Sequence, residues 1–281
     1  MKIRIKHLKG IWKYILLLIP LMFCLLPMVY MVCTAFKPLN EILRFPPTFF
    51  VKNPTLNNFA DLLTALSGTS VPFVRNVFNS ILVSVLVVIL TVFVSSMGAY
   101  GLTKHQVPFG NFFFTLIIMA LTFSSQVTTI PTYLVVQKLG LLDSYFALVL
   151  PKIAVAYNMF LIKQFTEQIP NAFLEAARID GAGEGRLFFK IVLPMLKPAC
   201  ATLIVLSFVS VWNDYFMPMI YITDPALRTV PVALHSISDG SSLSRAGASA
   251  AASFLMTVPT IVIFTMLQKK VISTMAYSGI K

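Results

Sequence analysis

Residues 169–198 read IPNAFLEAARIDGAGEGRLFFKIVLPMLKP. This stretch lies between two long apolar runs, yet it is too polar to cross a bilayer and too regularly patterned for a plain loop. Pro170 and Asn171 are helix-start signals; Phe173, Leu174 and Ala177 fall on one side at helical spacing while Glu175, Arg178 and Asp180 stay polar. Gly181 is placed to stop this first helix in the left-handed conformation that costs glycine nothing. A second piece, about Glu184 to Leu193, leads to Pro194 and Pro198, which punctuate entry into the next apolar run. The pattern predicts a compact helical knob fixed at both ends to membrane helices. Small side chains at Ala176, Ala177 and Gly181 would let another protein approach its backbone closely.

The rest of the chain supplies the membrane. With 57% hydrophobic and 11% charged residues over 281 positions and a mean hydropathy of +0.84, the chain has more apolar surface than a soluble core can hide. Its formal charge of +12 would suggest nucleic acid in a soluble protein, but the basic residues crowd the ends of apolar runs, so no nucleic-acid partner is expected. Cys24, Cys33 and Cys200 sit inside apolar runs without paired or metal-ligand spacing and read as small buried hydrophobes.

Spanning lipid takes about 20 apolar residues. Runs at about 14–36, 76–102, 111–136, 145–162, 199–222 and 250–267 meet that length, which predicts an all-α membrane protein of about six transmembrane helices. The first run follows a basic segment, residues 1–13; it is too long for a signal-peptide core, and Phe23 before Cys24 argues against a lipid anchor. In the third run Pro131 predicts a break on the outer side, facing the bundle interior because irregular backbone survives at membrane depth only against protein or water. With the N-terminus inside, the cytoplasmic segments carry fourteen Lys and Arg against seven outside. This bias puts both termini, and the loop 168–198, in the cytoplasm.

The loop then shows a spaced motif: Glu175-Ala176-Ala177, three residues, Gly181, nine residues, and Ile191-x-Leu193-Pro194. It resembles the EAA loop of ABC importer permeases, with every anchor filled, before the penultimate helix. The resemblance extends over nearly the whole chain to the maltose-transporter-like carbohydrate permeases. It also rests on Pro46-Pro47-Thr48-Phe49-Phe50, Pro54-Thr55-Leu56-Asn57-Asn58-Phe59, Ala177-Arg178-Ile179-Asp180-Gly181-Ala182 and Trp212-Asn213-Asp214. Tyr277-Ser278-Gly279-Ile280-Lys281 looks like a shortened version of that family's Gly-rich basic tail.

The resemblance implies a type I importer bundle, residues 14–281, in a bacterial or archaeal cell membrane. The knob would be a coupling helix seated on an ATPase subunit, with Glu175, Ala176, Ala177, Arg178, Asp180, Gly181, Ile191, Leu193 and Pro194 as the coupling residues. The partners implied are a second, homologous permease, two ATPase subunits that hold ATP and Mg, and an extracytoplasmic solute-binding protein docking on outer loops such as 223–249. The cargo implied is carbohydrate. On the residues themselves, Glu175 can accept an Arg from a partner in a charge-assisted bond.

No G-x-x-x-x-G-K-[ST] loop occurs, and Gly181, Gly183 and Gly185 lack the spacing and preceding strand of a dinucleotide turn, so no cofactor and no enzyme site is expected in this chain. His7, His105 and His235 are scattered and offer no metal cluster. Charges inside membrane helices are functional candidates, which singles out Lys152 and Asp214, with Trp212, Asn213 and Tyr215 adding surfaces suited to sugars along a translocation path. Pairing or snorkelling of the two charges is the blander alternative. A permease for a non-sugar solute differs only in cargo. An ion-coupled secondary transporter would want paired intramembrane acids, which this chain lacks.

Overall fold

In a computed structural model, residues 2–67, 71–105, 107–238 and 246–278 are described, and among them every regular element is helical. In chain order they are α1 (Lys2–Ala35), α2 (Leu39–Ile42), α3 (Asn57–Ser67), α4 (Phe73–Lys104), α5 (Gly110–Ala120), α6 (Ser125–Lys138), α7 (Tyr145–Ile153), α8 (Ala156–Glu167), α9 (Asn171–Ile179) and α10 (Glu184–Leu187). A π-helical turn (Phe188–Val192) then precedes α11 (Leu193–Met195), α12 (Lys197–Trp212), α13 (Phe216–Tyr221), a 3-10 turn (Pro225–Leu227), α14 (Val230–Ser238) and α15 (Ala246–Ser278). Three helices are long and apolar enough to span by themselves: Leu16–Ala35, Phe73–Lys104 and Ala246–Ile272. Three bent pairs, α5 with α6 at 114°, α7 with α8 at 43°, and Glu184–Met195 with α12 at 76°, bring the spans to six if each pair is one. The closing residues 279–281 of the basic tail and residues 239–245 of the outer loop lie outside the described residues.

The chain divides into two compact units, Met1–Ser70 with Leu234–Thr257, and Val71–Ala233 with Val258–Lys281. In the first, α1 presents Leu17, Ile19, Phe23 and other large apolar side chains outward, as a helix solvated by hydrocarbon does. The Pro54–Phe59 motif closes its C-terminal end. Asn58 Nδ2 donates to the Ala35 and Lys37 carbonyls at 2.9 and 2.7 Å, and the Thr55 N–H reaches Phe36 O at 2.9 Å. These satisfy carbonyls that a helix end leaves unpaired. Glu41 accepts from the Lys52 and Asn53 N–H groups, and Phe36, Phe59 and Phe254 pack with ring centroids 5.2 to 6.1 Å apart. Gly247 is obligatory by space: a Cβ there would lie 2.1 Å from Asn58 Oδ1.

In the second unit α4, about 48 Å long at 1.5 Å per residue, joins two cores. At one end Val83 and Val87 pack with Val136 of α6, Ala147 and Leu148 of α7, and Tyr221 of α13. At the other, Ala99 and Tyr100 pack with Ile162 of α8, Leu174 of α9, Leu187, Val192 and Leu203 of α12. Along its length α4 buries Asn76, Asn79, Ser80, Ser84, Thr91, Ser95 and Ser96. Small polar residues at helical spacing let membrane helices approach closely.

The break in the third run is not at Pro131. Pro131 lies inside α6, and the chain turns at residues 121–124. There Ser124 is extended (φ −73°, ψ 151°), and the Thr122 hydroxyl donates to Met119 O at 2.7 Å. Ser and Thr side chains compete for carbonyls and so end helices locally. Inside α6, the Thr129 and Thr132 hydroxyls bond the carbonyls of Ser125 and Thr128 at 2.8 and 2.7 Å, one turn back along the same helix. The π turn just before Pro194 has its origin in that residue: proline has no N–H for the Lys190 carbonyl and its ring pushes that carbonyl outward, which a wider turn accommodates.

Candidate functional site

The knob forms as a capped helix. α9 begins after extended Pro170 and ends at Asp180, with Gly181 at φ +78°. The Ala182 N–H donates to Ala177 O at 2.9 Å and the Gly181 N–H to Arg178 O at 3.0 Å, the paired bonds of a Schellman termination. Leu174 is buried and Ala177 and Ala182 pack against the same core. Phe173, expected beside Leu174 and Ala177, is instead 55% exposed; it sits about 100° around the helix from Leu174. Phe173, Glu175, Ala176 and Ile179 therefore form an outward face, and Glu175 makes no ion pair among the described residues. Ile191 and Leu193 pack inward against the core, and Pro194 is half-buried.

Two side-chain ties fasten the knob to the end of α4. Lys104 Nζ donates to Ile169 O at 2.5 Å and Asn171 Oδ1 at 2.9 Å. Glu184 accepts from the Tyr100 hydroxyl at 2.7 Å and from Arg178 Nη2 at 3.0 Å, with His105 Nε2 at 3.3 Å. The Tyr100 hydrogen bond, then Arg178 and His105, hold the Glu184 carboxyl below its usual range against partial desolvation. Glu184 and His105 carried no such role in the sequence reading; only the fold brings residues 100, 105, 178 and 184 together.

The proposed path residues divide. Lys152 Nζ and Asp214 Oδ2 meet at 2.7 Å and both line a cavity of ≈ 490 Å³. Oδ2 is shielded from solvent, with the Lys152 ammonium as its charge partner. Asp214 Oδ1 accepts from the Phe216 and Met217 N–H groups at 3.1 and 3.2 Å and so starts α13. Trp212, Asn213 and Tyr215 do not line the cavity. Trp212 stacks on Phe208, and Asn213 Nδ2 bonds Val209 O and Thr260 Oγ1; Tyr215 packs edge-on to Phe216. Their positions follow from the helix ending at Trp212, which turns neighbours in sequence in different directions. Ser84, Tyr221 and Thr229 also border the cavity, but their hydroxyl oxygens are buried away from its space and have no hydrogen-bond partner. Each such group left unpaired costs about 1–3 kcal/mol.

Outside the cavity, Asp143 (φ +55°) accepts from the Thr223 and Asp224 N–H groups at 2.6 and 2.9 Å and the Thr223 hydroxyl at 2.6 Å. It thus ties residues 138–144 to 222–224. The Thr223 hydroxyl first, then the Asp224 and Thr223 amides, lower its pKa. A depressed carboxylate contributes stability above its unfolded pKa, about 4, and loses it as pH falls through the folded value. Protection of the Thr223 and Asp224 amides, taken relative to the intrinsic exchange rate at each pH, should therefore hold down to about pH 4 and fall below it, while Asp143→Ala should lose it already at neutral pH.

The family described as "Binding-protein-dependent transport system inner membrane component" matches residues 91–276. The chain is 31% identical over 262 residues to the sn-glycerol-3-phosphate transport system permease protein UgpE of Yersinia enterocolitica, covering 92% of this chain and 93% of that one. It is 32% identical over 274 residues to the polygalacturonan/rhamnogalacturonan transport system permease protein YtcP of Bacillus subtilis, covering 91% and 92%. Among solved structures it is similar to a chain of a bacterial ABC transporter involved in import of the acidic polysaccharide alginate, with TM-score 0.81, 25% identity and 94% and 96% coverage. A chain of an alginate transporter in complex with alginate pentasaccharide-bound periplasmic protein shares the fold at TM-score 0.59 and 17% identity, with 93% and 94% coverage.

Proposed function

This chain belongs to the inner membrane components of binding-protein-dependent transport systems, and on that premise we propose that it is one of two permease subunits in an ATP-driven importer of carbohydrate. The observation that carries the reading is the knob: a rigid capped helix with an outward face of Phe173, Glu175, Ala176 and Ile179, tied to the end of the long helix α4 by Lys104 and Glu184. Such a part transmits a push from a cytoplasmic partner directly to a membrane helix. The partners are a second permease, two ATPase subunits carrying ATP and Mg, and an extracytoplasmic binding protein. Both termini lie in the cytoplasm, following the excess of basic residues in the inside segments. ATP is hydrolysed in the partners, since this sequence has no phosphate loop.

The cargo reading is supported by the relatives, whose names concern sn-glycerol-3-phosphate, polygalacturonan and rhamnogalacturonan, and alginate. Co-purification of the tagged chain from its native membrane, followed by mass spectrometry, tests the assembly. Wild type should recover a second permease and an ATPase, and Glu175→Ala with Gly181→Val should lose the ATPase alone. A chain that purifies alone and transports without ATP would overturn the importer in favour of an ion-coupled carrier.

A further inference from the structure

The motif at 46–50, in the loop after α1, takes no part in the knob, yet its shape is fixed. Glu41, itself buried, closes the base of the loop by accepting from the Lys52 and Asn53 N–H groups at 3.1 and 2.9 Å. Lys37 Nζ donates to the Thr48 carbonyl and lies 5.1 Å from the Tyr30 ring centroid, and the Phe49 ring sits 5.6 Å from the same ring. Tyr30 precedes the end of α1 at Ala35 by about 7.5 Å along the axis. The loop therefore folds back along the helix that it follows. At its surface stand Phe45, 93% exposed, and Phe50, 70% exposed. We propose that this loop is an interfacial anchor: Phe45 and Phe50 enter the bilayer at the boundary between headgroups and acyl chains, beside the end of α1. The proposal needs only that α1 spans the membrane, so it goes beyond the importer reading and can fail apart from it.

The depth fits. Leu16–Ala35 is 20 residues long, about 30 Å, which matches the hydrocarbon thickness of a bilayer and puts Ala35 at one boundary. Tyr30 then lies inside that boundary, at a depth within the roughly 5–10 Å to which interfacial segments insert. Phe49 follows it there, and Phe50 packs edge-on to Phe49 with ring centroids 5.1 Å apart. Leu25, Leu26 and Val29, in the same part of α1, also point outward, so the rings extend a surface that already meets hydrocarbon. Exposed Arg44 and Lys52 flank the two phenylalanines in sequence. Their long stems let the cations reach lipid phosphates while the rings stay below. Water would leave both rings hydrated at the full hydrophobic cost. A lipid boundary is favoured over a protein surface because Lys37 and Phe49 hold the loop against a membrane helix at hydrocarbon depth.

The test uses the full chain in its native membrane. The photoreactive analogue p-benzoyl-phenylalanine replaces Phe45, Phe50 or, as a lipid-facing reference on α1, Phe23, one at a time. All three side chains are exposed, so chain abundance should be unchanged. After illumination and purification, intact mass spectrometry should show the chain shifted by the mass of one phospholipid at each site. A shift by the mass of a whole protein at either loop site would assign the loop to a partner chain. An unshifted chain at either loop site, beside the lipid adduct at Phe23, would assign that ring to water; either result overturns the proposal. Recovery of the ATPase from the same membranes reports on the importer reading separately.

Discussion

Gly181→Val should insert in the membrane at normal abundance and lose most ATP-coupled uptake. A Cβ at Gly181 meets nothing within 4 Å, so the cost is not a clash. It is the left-handed backbone at φ +78°, worth about 1–2 kcal/mol against a residue with a Cβ and more for a β-branched one. That energy falls on the two backbone hydrogen bonds that close the knob, and a misplaced face couples poorly to its partner. Since each 1.36 kcal/mol is tenfold, uptake should fall by about tenfold or more, Gly181→Ala should lose less, and Gly181→Asn should keep most activity because asparagine tolerates this region. Uptake of radiolabelled cargo by vesicles, normalised to chain abundance, reads the series. Equal transport by glycine and valine would remove the turn from the coupling path.

Asp214→Ala should destabilise the second unit more than any other single change at the cavity. It strips the Phe216 and Met217 N–H groups of their acceptor and leaves the Lys152 ammonium, 26% exposed, without its partner. Breaking a buried pair from one side costs about 3–5 kcal/mol, with water in the cavity lowering the figure. Lys152→Met should cost less, because Asp214 keeps its two backbone donors. Asp214→Asn should fall between, as the amide oxygen preserves the cap but not the charge. In the Lys152→Met, Asp214→Asn double variant the losses should not add, with a coupling of about 1–3 kcal/mol. Thermal unfolding in mild detergent measures all four; strict additivity would mean that the two charges act independently.

The helical class and the Gly181 turn were legible because each rests on local pattern: long apolar runs in one case, a glycine after a periodic segment in the other. The break at 121–124 was not, since Pro131 is the stronger punctuation in sequence, yet the helix continues through it and the chain turns where Thr122 bonds Met119 O and Ser124 is extended. Lys152 and Asp214 stood out as charges in apolar runs, but their pairing across 62 positions is a tertiary fact. Trp212, Asn213 and Tyr215 were grouped with Asp214 by adjacency; the helix stops at Trp212, so they meet other neighbours than the cavity that Asp214 lines. The hydroxyls of Ser84, Tyr221 and Thr229 gave no signal, because single Ser, Thr and Tyr residues are ordinary in membrane helices. Glu184 marked only the start of the second piece of the knob, because nothing local shows that Tyr100 and His105 come up beside it.

The sharp bend between α5 and α6 also sets a timetable for the ribosome. Val136 packs in the same core as Tyr221 and Ile222, and Tyr133 stacks on Tyr221 at 6.1 Å. Those later residues emerge only after a further stretch of about 85 residues, on the order of 4–17 s at ordinary elongation speeds. Until then α6 waits in the insertion machinery with its inner side uncovered. α1 waits far less: most of its large side chains face outward to lipid, and the residues that close its end, Thr55 and Asn58, follow within about 25 positions.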